Sequence, residues 1–154
     1  GITSQLPKDE TYNYPKKYLL GRLDILMGGR CAESIIFNDI STGAGNDISV
    51  ATDLAKYMVT QWGMSKNVGP LHFKTGSEDV FLGREISYGR DYSDELSSLI
   101  DKEVSSLIKN AENNADAILK GKLQSLHDIA NVLLENEMLT PAEFSDKSHT
   151  SLRT

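Results

Sequence analysis

The sequence holds a single cysteine, Cys31, so no disulfide can close within the chain. A disulfide-stapled scaffold is thereby excluded, and a reducing compartment is the expected setting. No apolar run is long enough to span a bilayer. No stretch shows the charged-then-apolar pattern of a secretory signal. Basic residues do not cluster: 16 lysines and arginines are scattered among 22 acidic residues, for a formal charge of −6. A nucleic-acid-binding surface is therefore not expected. Internal repeats and low-complexity tracts are also lacking.

What is present reads as one globular unit. A chain of 154 residues, 39% hydrophobic and 25% charged, is large enough to bury a core and has ordinary soluble composition. Residues 1–13 are polar and proline-broken, either a frayed terminus or an edge strand able to pair with an extended peptide. From Pro15, suited to a first helical position, Leu19, Leu23, Leu26, Ala32, Ile35 and Ile36 recur at helical spacing up to Phe37. Gly28-Gly29 interrupts that stripe at about 1 kcal/mol per glycine relative to alanine, which suggests a close backbone approach there. Val50, Ala51, Leu54, Ala55, Met58, Val59 and Trp62 form the face of a second helix that closes at Gly63, with Trp62 expected as a core anchor.

Residues 64–92 carry four glycines, Pro70 and few helical repeats, and read as a long ordered loop with room for a short strand. Ser93 caps the longest predicted helix, which runs to Lys120. A return helix follows at Leu123–Leu134, and Thr140-Pro141-Ala142-Glu143 combines a capping box with proline at the first helical position. The expected fold class is mainly α, with a long central loop and room for short edge strands. Its parts are helices over 1–63, the loop over 64–92, a helical bundle over 93–147 and a loose tail over 148–154.

The chemistry centres on the turn Ser41-Thr42-Gly43-Ala44-Gly45-Asn46-Asp47 between the first two helices. Thr42 and Asn46 are both acceptable N-caps. Asp47 falls in the opening of the second helix, where a carboxylate complements unpaired N–H groups and the helix dipole. By pattern alone it is a helix-start acid.

GGRCAESIIF (28–37), STGAGNDISVATDLAKYMVTQWGMS (41–65), VGPL (68–71) and VFLGRE (80–85) occur in one order that resembles the C-terminal peptidase domain of the FtsH family, the membrane-anchored ATP-dependent zinc metalloproteases. The similarity runs from about Gly1 to Glu143. In that family two histidines of a His-Glu-x-x-His helix and the aspartate of an Asn-Asp-Ile segment hold zinc. The resemblance therefore implies that Asp47 is the third Zn2+ ligand. It also implies that Glu33 lies near the metal as a carboxylate orienting a ligand histidine. Ile2 and Thr3 match an extended strand beside the active-site cleft. Further implications are ATP and Mg2+ at a separate AAA domain, protein substrates that are unfolded or membrane-embedded, a homo-hexamer, and a membrane anchor outside this stretch.

The departure from the family pattern is equally informative. The three histidines, His72, His127 and His149, are far apart, and no His-Glu-x-x-His occurs. Two histidines four apart on one helical face, with a glutamate between them as base, are what this zinc hydrolysis requires. The family carries that motif upstream of the segment matched by Gly1-Ile2-Thr3. The expectation is thus a piece of a metalloendopeptidase, inactive by itself and with no base of its own. The rival is a non-catalytic helical assembly module. His72, between two apolar residues, is expected to be structural.

Overall fold

The computed structural model describes residues 13–73 and 92–148. These are 77% helical with no strand, and the order is α1 (Lys16–Phe37), a 3-10 turn (Thr42–Ala44), α2 (Gly45–Thr60), α3 (Asp94–Gly121), α4 (Leu123–Asn136) and α5 (Pro141–Ser148). The mainly helical expectation holds. Leu71-His72-Phe73, where a short strand was allowed, is irregular backbone. Ile2, Thr3 and the Val80-Phe81-Leu82 piece lie outside the described residues.

Three helices make the core. On α1 the buried residues are Leu19, Leu23, Met27 and Cys31, a four-residue repeat that keeps one line of side chains on one face. On α2 they are Ala51, Ala55, Met58, Val59 and Thr60, and the two alanines let neighbouring backbones approach. α3 contributes Ile100, Val104, Ala111 and Ala115. These residues form one cluster with Val68, which folds back from the segment after α2. α3 packs chiefly on α1 and α2, whereas α4 packs mainly with α5. Only Ser125 is buried along α4.

Several local signals act as the sequence suggests. Ser93 Oγ accepts the Leu96 N–H at 3.2 Å and starts α3. Thr140 and Glu143 form the reciprocal capping box: Glu143 Oε2 accepts from Thr140 N at 2.8 Å, and Thr140 Oγ1 accepts from Glu143 N at 3.4 Å. Gly63 adopts φ +59°, and a Cβ there would meet Pro70 Cα at 2.8 Å, so both conformation and space demand glycine.

Other expectations need correcting. Pro15 is the N-cap of α1, one position before the helix, with extended backbone. The cap of α2 is neither Thr42 nor Asn46 but Ala44, which has no side-chain oxygen to offer. The 3-10 turn leads directly into α2, and its own cap is Ser41. Gly28 and Gly29 lie within an unbroken α1, and no close backbone approach explains them: among the described residues a Cβ on Gly28 would touch nothing within 4 Å. Trp62 is no core anchor. It lies past the end of α2, 48% exposed, stacked on Tyr57 at 5.8 Å.

Polar contacts tie α3 to α1 and to the segment after α2. Arg30 Nε on α1 is 3.0 Å from Glu112 Oε1 on α3, and the Cys31 thiol beside it donates to the Glu112 carbonyl at 3.4 Å. Burial, followed by the nearby Glu112 and Asp116 carboxylates, pushes the Cys31 thiol above its ordinary pKa, so it stays protonated and inert at neutral pH. Further along α3, Glu103 accepts from Ser65 Oγ at 2.6 Å and Asn67 Nδ2 at 2.7 Å. The same Ser65 hydroxyl accepts the Val68 N–H, which holds Val68 in the core.

Candidate functional site

The turn between α1 and α2 is built from both sides. α1 ends at Phe37 because Asn38 takes a left-handed conformation, φ 50° and ψ 33°, one that asparagine tolerates better than most residues. The chain then runs exposed to Ser41. From one turn before the end of α1, Glu33 reaches across: its Oε1 and Oε2 are each 3.0 Å from Ser41 Oγ, and Oε2 also accepts Ser41 N–H at 3.2 Å. Ser41 Oγ in turn accepts Gly43 N–H at 3.1 Å. A Cβ on Gly43 would lie 3.1 Å from Ser41 Oγ and 3.3 Å from Glu33 Oε1, so the turn is tight and glycine suits it. Ala44 is then buried, and α2 begins.

Asp47 is the third residue of α2. It is half-buried, and among the described residues no side-chain or backbone donor is bonded to its carboxylate. It therefore does not serve as a cap. Across the turn, a Cβ added to Gly29 of α1 would come 3.9 Å from Asp47 Oδ2. The carboxylate thus lies beside a position of α1 that carries no side chain. Gly28 beside it is equally open among the described residues.

The other sequence-derived candidates fall elsewhere. Glu33 and Asp47 flank the same turn, but the partner of Glu33 is Ser41. His72 Nδ1 lies 3.1 Å from the Gln61 carbonyl, a local contact that matches its structural expectation. His127 is exposed on α4. His149, Ile2 and Thr3 lie outside the described residues. Ser41 is the participant that sequence reasoning missed. The signal for it was available: a serine two residues before a glycine is a local N-cap pattern, but Thr42 and Asn46 offered competing ones.

Donor chemistry decides what this site can hold. Among the described residues no group of three or more His, Cys, Asp or Glu side chains is placed to bind a metal. Asp47 alone offers anionic oxygen, which suits zinc as one member of a mixed set with histidine nitrogens but cannot close a tetrahedral site. A carboxylate uncommitted to described donors and facing open helix fits such a member. No helix among the described residues is long and apolar enough to cross a membrane.

Comparison with known proteins agrees with the order of motifs. The profile of peptidase family M41 matches residues 1–146. Over 144 residues, 94% of this chain, the sequence is 44% identical to an ATP-dependent zinc metalloprotease FtsH 1 of Thermoanaerobacter sp. (strain X514), covering 24% of that protein. The FtsH of Caldicellulosiruptor bescii is also 44% identical over 94% of the chain and 23% of its own length. An FtsH 1 of Sphaerobacter thermophilus is 47% identical over 90% of the chain and 21% of its own length. The chain thus spans about a quarter of the length of the relatives it matches.

Proposed function

The chain belongs to peptidase family M41, and on that premise we propose that it is the part of an ATP-dependent zinc metalloendopeptidase that supplies the third zinc ligand, Asp47. The observation that carries this reading is the placement of Asp47: half-buried at the start of α2, unused as a cap, and beside Gly29 of α1, which offers no side chain. The two remaining protein ligands would be the histidines of a His-Glu-x-x-His helix. Zinc held there supplies Lewis-acid activation of water and of the scissile carbonyl. Asp47 contributes charge and fixes the position of the ligand set. It is not assigned the role of base; that task falls to the glutamate of the histidine motif.

The rest of the chain holds Asp47 in place. The α1–α2–α3 core and the Arg30–Glu112 tether keep α1 rigid, and the turn carries α2 across it. Ile2 and Thr3 would form the strand that pairs with an extended protein substrate. ATP-driven unfolding at a separate AAA domain, assembly as a hexamer and membrane anchoring complete the activity in the intact protein. The 154-residue chain by itself is expected to lack proteolytic activity and a tight zinc site.

The experiment is Asp47→Asn in a protein that carries the histidine motif. The amide keeps an oxygen at the same place but loses the negative charge that offsets the metal's own. Bound zinc and casein cleavage should both fall while ATP hydrolysis is spared. Full zinc loading and full cleavage in the variant would return Asp47 to the role of a helix-start acid, and a protein inert in cleavage with or without the substitution would favour the assembly module.

A further inference from the structure

We propose that Glu33 and Ser41 form a positioning brace that sets the location of Asp47, so that Glu33 acts on the metal centre through this turn. The proposal rests on the reading of Asp47 as a zinc ligand.

The hydrogen-bond inventory of Ser41 supports it. A hydroxyl has one proton to give and two lone pairs to offer. Here the proton goes to the Glu33 carboxylate, shared between oxygens 3.0 Å away, and a lone pair takes the Gly43 N–H at 3.1 Å. The Ser41 backbone N–H also goes to Glu33, at 3.2 Å. One carboxylate therefore organises both the main chain and the side chain of Ser41, and Ser41 organises Gly43. Hydrogen bonds to an ionised carboxylate are stronger than neutral ones.

This connection matters because α2 has no cap of its own. Ala44 cannot accept a hydrogen bond from the first turn of α2 through its side chain. What fixes the start of α2 is the burial of Ala44 and the 3-10 turn before it, which the Gly45 N–H closes on the Thr42 carbonyl and which the Glu33–Ser41–Gly43 chain caps and ties to α1. Asp47 sits three residues beyond Ala44. Movement of the turn would carry the carboxylate along α1, away from its place beside Gly29. Glu33 is on α1, the same helix as Gly29, so the brace references Asp47 to the surface it must face.

A double-mutant cycle tests this, with Glu33→Ala, Ser41→Ala and the double variant. In the 154-residue chain, amide hydrogen exchange at Gly43 should quicken at least ~10-fold in each single variant and no further in the double, since both remove the same link. In a protein carrying the histidine motif, zinc affinity measured against a chelator should fall on the order of 10-fold in both single variants, as for other groups that orient ligands. The double should be no worse than the weaker single. Ser41→Thr keeps the hydroxyl and should restore both readouts, which general destabilisation would not permit.

Parent-like Gly43 exchange in Ser41→Ala overturns the brace whatever zinc does. So does zinc loss in Glu33→Ala combined with full affinity in Ser41→Ala, which would mean that Glu33 acts on some other group. Failure of the ligand reading looks different: Asp47→Asn then keeps parent zinc affinity, which removes the link from brace to metal even where Gly43 exchange quickens.

Discussion

Replacing Gly29 with alanine should push stability and metal binding in opposite directions. Glycine inside a helix is destabilising by about 0.5–1 kcal/mol relative to alanine, because its backbone loses more freedom on folding. At Gly29 no steric term opposes that gain. The added methyl would lie 3.9 Å from Asp47 Oδ2, ordinary van der Waals contact, and would meet no other atom within 4 Å among the described residues. The 154-residue Gly29→Ala chain should therefore be more stable by roughly 0.5–1 kcal/mol. For a chain of this size that raises Tm by about 1–4 °C. Urea unfolding followed by circular dichroism at 222 nm would measure it, with an unchanged slope against urea showing that the folded state is as compact as before. In a protein carrying the histidine motif, the same methyl would sit beside the oxygen proposed as a ligand and should lower zinc retention. Gly28→Ala provides the comparison: its methyl meets no described atom, so it should stabilise without touching Asp47. Destabilisation of the isolated chain by Gly29→Ala would refute the reasoning, because it would mean that the helix surface beside Asp47 is already filled.

Gly63→Ala should do the reverse to stability, by roughly 1–3 kcal/mol, since a left-handed backbone and a 2.8 Å approach to Pro70 Cα both oppose a side chain; a thermal melt equal to the parent would refute it. Glu103→Gln should flatten the acid side of the stability profile. The Ser65 and Asn67 hydrogen bonds hold the Glu103 carboxyl below its ordinary pKa. Its contribution is thus fully present above the unfolded value near ~4.3 and lost as pH falls through the lower folded value. The parent should therefore weaken relative to the variant below about pH 4, and parallel acid unfolding curves would contradict the assignment.

Two of the helix starts were legible because their signals lie within three residues. Ser93 and the Thr140–Glu143 pair cap their helices through bonds between groups three positions apart, and nothing distant competes with them. The helical stripes were legible in part, because burial follows periodicity along one element: Leu19, Leu23, Ala51, Ala55, Met58 and Val59 are buried as expected, but Ile36 and Val50 are exposed and the buried line of α1 continues through Met27 and Cys31. Trp62 shows where that rule stops. It follows the last residue of α2, so helical phase no longer determines where its ring points, and it stacks on Tyr57 at the surface. The α2 cap was illegible because the rule looks for an oxygen at the cap position itself. Here the oxygen belongs to Ser41 and acts one turn earlier.

The placement of Asp47 is tertiary in the same sense. An acid in a helix's first turn compensates unpaired N–H groups in countless proteins, so neither its identity nor its spacing separates a ligand from a helix-start charge. What favours the ligand reading proposed above is the surroundings of the carboxylate. Eighteen positions upstream, α1 presents a glycine rather than a side chain. Eight positions before Ser41, the same helix presents the carboxylate that ties the turn down. Eighty-two positions beyond Arg30, Glu112 pins α1 against α3, so both features are offered from a fixed frame. Weakening that pin should matter less than weakening the brace. Arg30 and Glu112 are partly exposed, so their ion pair contributes modestly, on the order of 1 kcal/mol or less, and the buried Leu19, Leu23, Met27 and Cys31 hold α1 without it. Nothing comparable is buried between Asn38 and Gly43. Over that exposed interval only the Glu33–Ser41 bonds tie the described backbone to α1, and the position of Asp47 is most sensitive to them.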